Sequence, residues 1–171
     1  MANRSKKVVL SVRIDPYLKA ALELAASSQK EKIVKYVEVC IGFGLGVIDK
    51  KNPFSKEKDS EVKFDILFAS IWSEDEVVYK LRLGFLGGDF AEFELIEIAR
   101  MVINEKRFQG DFDLFGDLNG NVQALGFIAP DIKIDLDKVK AEWGVISEFA
   151  EFRKKNPSLQ VDYEKYLLLA C

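Results

Sequence analysis

The chain of 171 residues is 49% hydrophobic and 31% charged, the balance of an ordinary globular protein with enough apolar material for a core. Its net charge of −3 hides a split: residues 1–58 hold 12 Lys and Arg against 6 Asp and Glu, while the rest holds 13 against 22, which suggests a basic module facing an anionic partner and an acidic one facing something else. The sequence contains no histidine, which removes the commonest general base and metal ligand and weighs against enzymatic catalysis.

The first element predicted is a strand. In VVLSVRI, Leu10, Val12 and Ile14 fall on one face and Val9, Ser11 and Arg13 on the other, because side chains alternate across a strand. Asp15-Pro16 then opens a helix, with proline at the first position where its missing N–H costs nothing. Leu18, Ala21, Leu22 and Ala25 stripe this helix, and Ser27-Ser28 interrupts it. Ser28 is expected to cap a second helix on which Ile33, Val37, Cys40 and Ile41 align.

A unit of one strand and two helices is too small to bury its own apolar faces. Either the strand joins the sheet of the following domain, or two copies pair their strands antiparallel and interlock their helices. The second arrangement is that of the ribbon-helix-helix repressors of the Arc, MetJ and CopG type, and LSVRIDPYLKAALELA resembles the opening of that family, with the resemblance extending over residues 7–45.

The resemblance implies a dimer whose two-stranded ribbon lies in the major groove of double-stranded DNA. By position, Val9, Ser11 and Arg13 would meet base edges: Arg13 suits a bidentate contact to guanine, Ser11 can donate or accept, and Val9 can touch only a thymine methyl. Phosphates would be held by Ser28, Gln29 and Lys30 at the amino end of the second helix, with Arg4, Lys6, Lys7 and Lys32 adding charge. Leu10, Val12, Ile14, Leu18, Leu22, Ile33, Val37 and Ile41 would form the dimer core. Two departures stand out: the link between the helices lacks the usual glycine and is short, and Val9 is less polar than a ribbon face usually is.

Residues 50–61, KKNPFSKEKDSE, have the composition of an exposed linker. The expected division is therefore a DNA-binding domain over residues 1–49, a linker over 50–61 and an acidic α+β domain over 62–171, used for oligomerisation or for contact with a ligand or protein. Within that domain VKFDILFASI and EVVYKLRLGFL are predicted as strands around a turn at Ser73 to Asp75. A helix follows to about Arg107, with Asp89 as its cap and Glu92 completing a capping box. DFDLFGDLNGNVQALGFIA is expected to form a hairpin about Asn119-Gly120.

Asp135 or Asp137 should begin the next helix, striped by Leu136, Val139, Trp143, Ile146 and Phe149 and stopped by Asn156-Pro157. A short helix over Tyr163 to Leu169 ends the chain. The predicted fold is thus α+β, a β-α-α ribbon-helix-helix unit followed by a domain of order ββαββαα.

Several sharper motifs fail on inspection. Asp111, Asp113, Asp117 and Asn119 invite a calcium loop, but Phe115 and Val122 fall where its fifth and twelfth ligands belong, so turn capping is the reading. Gly84, Gly87 and Gly88 match neither phosphate-binding glycine pattern and are read as a strand end and a helix entry.

Cys40 and Cys171 form no disulfide framework or metal spacing, so no cofactor is expected and a reducing cytoplasm is the simplest location. The apolar runs are too short for a signal peptide or a bilayer span. Trp72, Trp143, Phe149 and Phe152 are expected in the core. The leading expectation is a sequence-specific DNA binder, a repressor or a plasmid or phage accessory protein. Its rival is a protein-interaction or ligand-binding α+β protein in which strand 8–14 completes the main sheet.

Overall fold

A computed structural model describes residues 9–55, 57, 59–118 and 130–170. The chain mixes helix and strand and divides into two units, one made of Met1–Asn52 with Asp59–Phe68, the other of Pro53–Lys58 with Ala69–Cys171.

In the first unit, residues 9–15, expected as a strand, form neither helix nor strand in the single chain and pair with neither of the two sheets found among the described residues, because no neighbouring strand is there to bond them. Helix α1 (Pro16–Ser28) starts as expected: the Asp15 carboxylate accepts from the Tyr17 amide at 2.8 Å and Pro16 takes the first position. Helix α2 (Ile33–Gly46) follows after a four-residue link. Strand β1 (Asp49–Lys51) then pairs antiparallel with β2 (Glu61–Lys63), Lys50 opposite Val62. The polar segment 50–61 therefore begins and ends in paired strand, and Lys63 closes one end on Asp49 at 2.7 Å.

The first two strands predicted for the acidic domain are mostly helix: α3 (Phe64–Ile71) takes all of VKFDILFASI but Val62 and Lys63, which belong to β2, and α4 (Glu76–Leu86) takes EVVYKLRLGFL. Phe64, Leu67, Phe68 and Ile71 recur at helical spacing, with Leu67 and Ile71 buried. The supposed turn residue Asp75 is an N-cap, accepting from the amides of Val77 and Val78 at 3.0 and 3.2 Å. Since Val78, Leu81, Arg82 and Leu86 are buried, tertiary packing has overridden the β preference of Val and Phe.

Helix α5 (Phe93–Asn104) begins later and ends earlier than expected; Glu92, without a side-chain bond, stands at its cap, and Asp89 does not. Gly84 lets α4 and α5 approach, because a Cβ there would lie 2.2 Å from the Leu95 carbonyl oxygen.

Strand β3 (Gln109–Asp113) starts where the hairpin was expected, but its antiparallel partner is β4 (Lys133–Ile134), with a bulge between Gln109 and Phe112. The Asn119-Gly120 turn lies outside the described residues. Helix α6 (Leu136–Lys155) is capped by Asp135, which accepts from the Lys138 amide at 3.0 Å, and α7 (Tyr163–Ala170) closes the chain; both match expectation. The described part of this domain thus shows helices where the first ββ pair was placed, in place of the order ββαββαα.

The second unit's core collects Val78, Leu81, Ile98, Val102, Phe108, Val139, Ile146 and Phe149. Phe54 stacks with Phe85 and meets Phe115 edge-on, so the one aromatic of the polar segment is packed. Trp72, expected inside, is 49% exposed.

The most constrained polar group is Arg82, buried and fully engaged: Nε donates to the Leu114 carbonyl at 2.7 Å, Nη1 to the Trp72 carbonyl at 3.2 Å and Nη2 to Asp117 at 2.5 Å. Across α6, Arg107 grips Glu142 with two bonds, at 3.0 and 2.6 Å, and the Tyr163 hydroxyl donates to the same carboxylate at 3.2 Å. Arg107 holds the Glu142 carboxyl below the usual range despite its burial, while burial and the Glu142 charge push the Tyr163 phenol up.

Candidate nucleic-acid interface

The candidate site lies in the first unit. Val9, Leu10, Val12 and Ile14 are 94%, 73%, 67% and 43% exposed, and Ser11 and Arg13 are exposed as well, so both faces of the segment are open. On α1 Leu18 is exposed and Leu22 half-buried; on α2 Val37 is half-buried while Ile33 and Ile41 are exposed. Of all the residues in the two helices only Ala26 is buried. Six of the eight residues expected to make a dimer core, Leu10, Val12, Ile14, Leu18, Ile33 and Ile41, are thus exposed in the single chain, an apolar surface of the kind that marks an association site.

The link between the helices answers the missing glycine. Lys30 adopts φ 55, the left-handed region, and is the only described non-glycine residue with positive φ. The Glu31 amide donates to the Ala26 carbonyl at 2.9 Å and the Lys30 amide to the Ser27 carbonyl at 3.0 Å. These two bonds define a Schellman closure with lysine in the position glycine usually takes. The reversal is made, at the steric cost of a Cβ in the left-handed well.

This geometry moves the expected phosphate anchor. Ser28 is the last residue of α1 and donates its hydroxyl to the Ala25 carbonyl at 2.7 Å; it does not cap α2. The amides of Gln29 and Lys30 are bonded back into α1 and the Ser28 hydroxyl donates within it, so of the three residues only the side chains of Gln29 and Lys30 are left to donate to a phosphate. The amino end of α2 falls at Ile33, after Lys32, whose side chain makes no cap bond. Lys30, Lys32 and Lys35 are exposed around it and concentrate positive charge there. Lys35, one helical turn in, was not singled out from the sequence; its signal was its place in the first turn of α2. Arg4, Lys6 and Lys7 lie outside the described residues.

Among the described residues of the second unit is an acidic cavity of about 470 Å³, lined by Asp75, Arg82, Asp111, Asp113, Asp117 and Leu136 among others. Three of its carboxylates are engaged. Asp75 caps α4 and pairs with Lys140; burial opposes its charge, but Lys140 and the two amides hold its carboxyl below the usual range. Asp113 accepts from the Phe115 amide at 3.0 Å, and Asp117 pairs with Arg82. These are turn-closing roles. Among the described residues no cluster of three or more acidic or cysteine side chains is arranged to hold a metal ion, and no helix is long and apolar enough to cross a membrane.

Comparison of the chain with protein-family models, curated proteins and solved structures found no match.

Proposed function

We propose that the chain is a dimeric, sequence-specific DNA-binding protein that reads the major groove with an intersubunit β-ribbon. It would act as a transcriptional repressor or as a plasmid or phage accessory DNA binder in the cytoplasm, not as an enzyme. The observation that carries this reading is the segment 9–15: exposed on both faces, unpaired with either sheet, and leading into an Asp15-capped helix. A second copy supplies the missing strand and covers Leu10, Val12 and Ile14. The opposite row, Val9, Ser11 and Arg13, is then presented to bases, with Lys30, Lys32 and the free amides at the start of α2 set against phosphates.

The rival, in which residues 8–14 complete the sheet of the main domain, draws no support from the observed strand pairings. On the proposed reading the domain after the polar segment serves oligomerisation or contact with a ligand or protein. A gel-shift titration against duplexes recovered by selection from random DNA tests the reading. Arg13→Ala should weaken binding to the selected duplex by about 5- to 150-fold, since a bidentate arginine-guanine pair is worth about 1–3 kcal/mol. Equal affinity of wild type and Arg13→Ala for every duplex would overturn it.

A further inference from the structure

A second cavity of the second unit, of about 230 Å³, lies among α5, α6 and the start of α7. Its cationic wall is built on Glu97, a carboxylate only 6% exposed. Arg100, one turn on along α5, meets one oxygen of Glu97 at 2.5 Å, and Arg153 of α6 meets the other at 3.0 Å. One buried carboxylate thus fixes two long side chains and neutralises the charge of only one. Each contact uses a single nitrogen, whereas a guanidinium carries five N–H donors. Both arginines line the cavity, so the wall keeps one positive charge and spare donors of the geometry that suits a carboxylate.

Most other polar groups of the lining are engaged within the chain. The Asn104 side chain donates to the Arg100 carbonyl at 2.6 Å and the Tyr163 hydroxyl to Glu142. Asp162 accepts from the Lys165 amide and pairs with the Lys165 ammonium at 2.9 Å. Glu105, at the end of α5, differs: no ion partner for its carboxylate is found among the described residues. Buried Met101 and Phe149 and half-buried Val161 complete the cavity. The lining therefore offers an uncompensated cation, an uncompensated anion and apolar surface together.

We propose that this cavity binds a small apolar α-amino acid, its carboxylate on Arg100 and Arg153, its ammonium on Glu105 and its side chain against Met101, Phe149 and Val161. At about 30 Å³ of liquid volume per water, the space holds roughly seven or eight non-hydrogen atoms, the size of valine or leucine. A simple anion would meet the arginines but lie beside Glu105 as a like charge, and a simple amine would leave the arginines unmet. The proposal concerns the second unit alone and names the class of ligand that the function proposed above leaves open, so it stands or falls apart from DNA binding.

Isothermal titration calorimetry of the full chain tests this with L-leucine, L-valine, isocaproate (leucine without its ammonium) and isoamylamine (leucine without its carboxylate). Saturable binding of the amino acids is expected, with both analogues weaker by about tenfold or more, since each forgoes bonds to a charged group. Arg153→Gln should weaken leucine similarly. Glu105→Gln alters no contact of the core, so it keeps the test readable should Arg153→Gln fail to fold; it should weaken leucine about tenfold and leave isocaproate binding no worse. No saturable binding of either amino acid, isocaproate binding as tightly as leucine, or undiminished leucine binding by Glu105→Gln would overturn the proposal, and none of these outcomes bears on the gel shift.

Discussion

Lys30 shows how one residue can carry a local cost and a global role. Its left-handed backbone closes α1 and lets α2 reverse, and a Cβ in that well is unfavourable by about 1–2 kcal/mol. Lys30→Gly should therefore raise the unfolding free energy by about 1 kcal/mol in a urea titration. If the side chain meets a phosphate, the same change should lower the slope of log affinity against log salt by about one. Arg82 is the converse case, a buried cation whose three bonds tie α4 to the carbonyls of Trp72 and Leu114 and to Asp117. Arg82→Ala should cost about 3 kcal/mol or more, because hydrogen bonds to a charged group contribute about 1.5–3 kcal/mol each. Arg82→Lys should recover only part of this, as an ammonium cannot reproduce the fork; full recovery in denaturant titrations would show that charge alone matters there.

At the scale of elements, what the sequence makes legible follows from how local the cause is. The start of α1 is written in Asp15-Pro16 and forms as read, and of the two candidates Asp135 and Asp137 it is Asp135 that caps α6. α3 and α4 were missed because Val, Ile and Phe favour strands in isolation, while the helical spacing of Leu67, Ile71, Val78, Leu81 and Leu86 gains its weight only from burial against distant segments. The shift of the α2 start from Ser28 to Ile33 has a similar origin, since no side chain announces a cap at Lys32. The closeness of α4 to α5 depends on Gly84, so Gly84→Ala should lower stability by about 3 kcal/mol, an overpacking penalty seen as a fall in melting temperature.

Acid should also loosen the elements held by Asp75 and Glu142. Both carboxyls lie below their usual values, so their stabilisation is present above pH ~4 and is lost as pH falls through the lower folded values. Melting temperature should drop between pH 5 and 3, and Glu142→Gln should shrink that drop; an equal drop in the variant would rule Glu142 out as a contributor.

On the scale of the whole molecule, a basic module with uncovered apolar faces precedes an acidic one whose core is closed by its own residues. On the proposed reading a second copy hides Leu10, Val12 and Ile14, with residues 9–15, which pair with neither sheet among the described residues, supplying the strand. The row proposed to read bases is legible in the sequence as alternation, whereas the proposed phosphate anchor is not, because it depends on where α2 begins in space. The most direct test of the account is hydrogen exchange of the backbone amides of residues 9–14 in the full chain across a dilution series. An intersubunit ribbon predicts amides protected about a hundredfold or more at tens of micromolar, losing protection on dilution toward the dissociation constant. Exchange at the rate of an unstructured peptide at every concentration would contradict it.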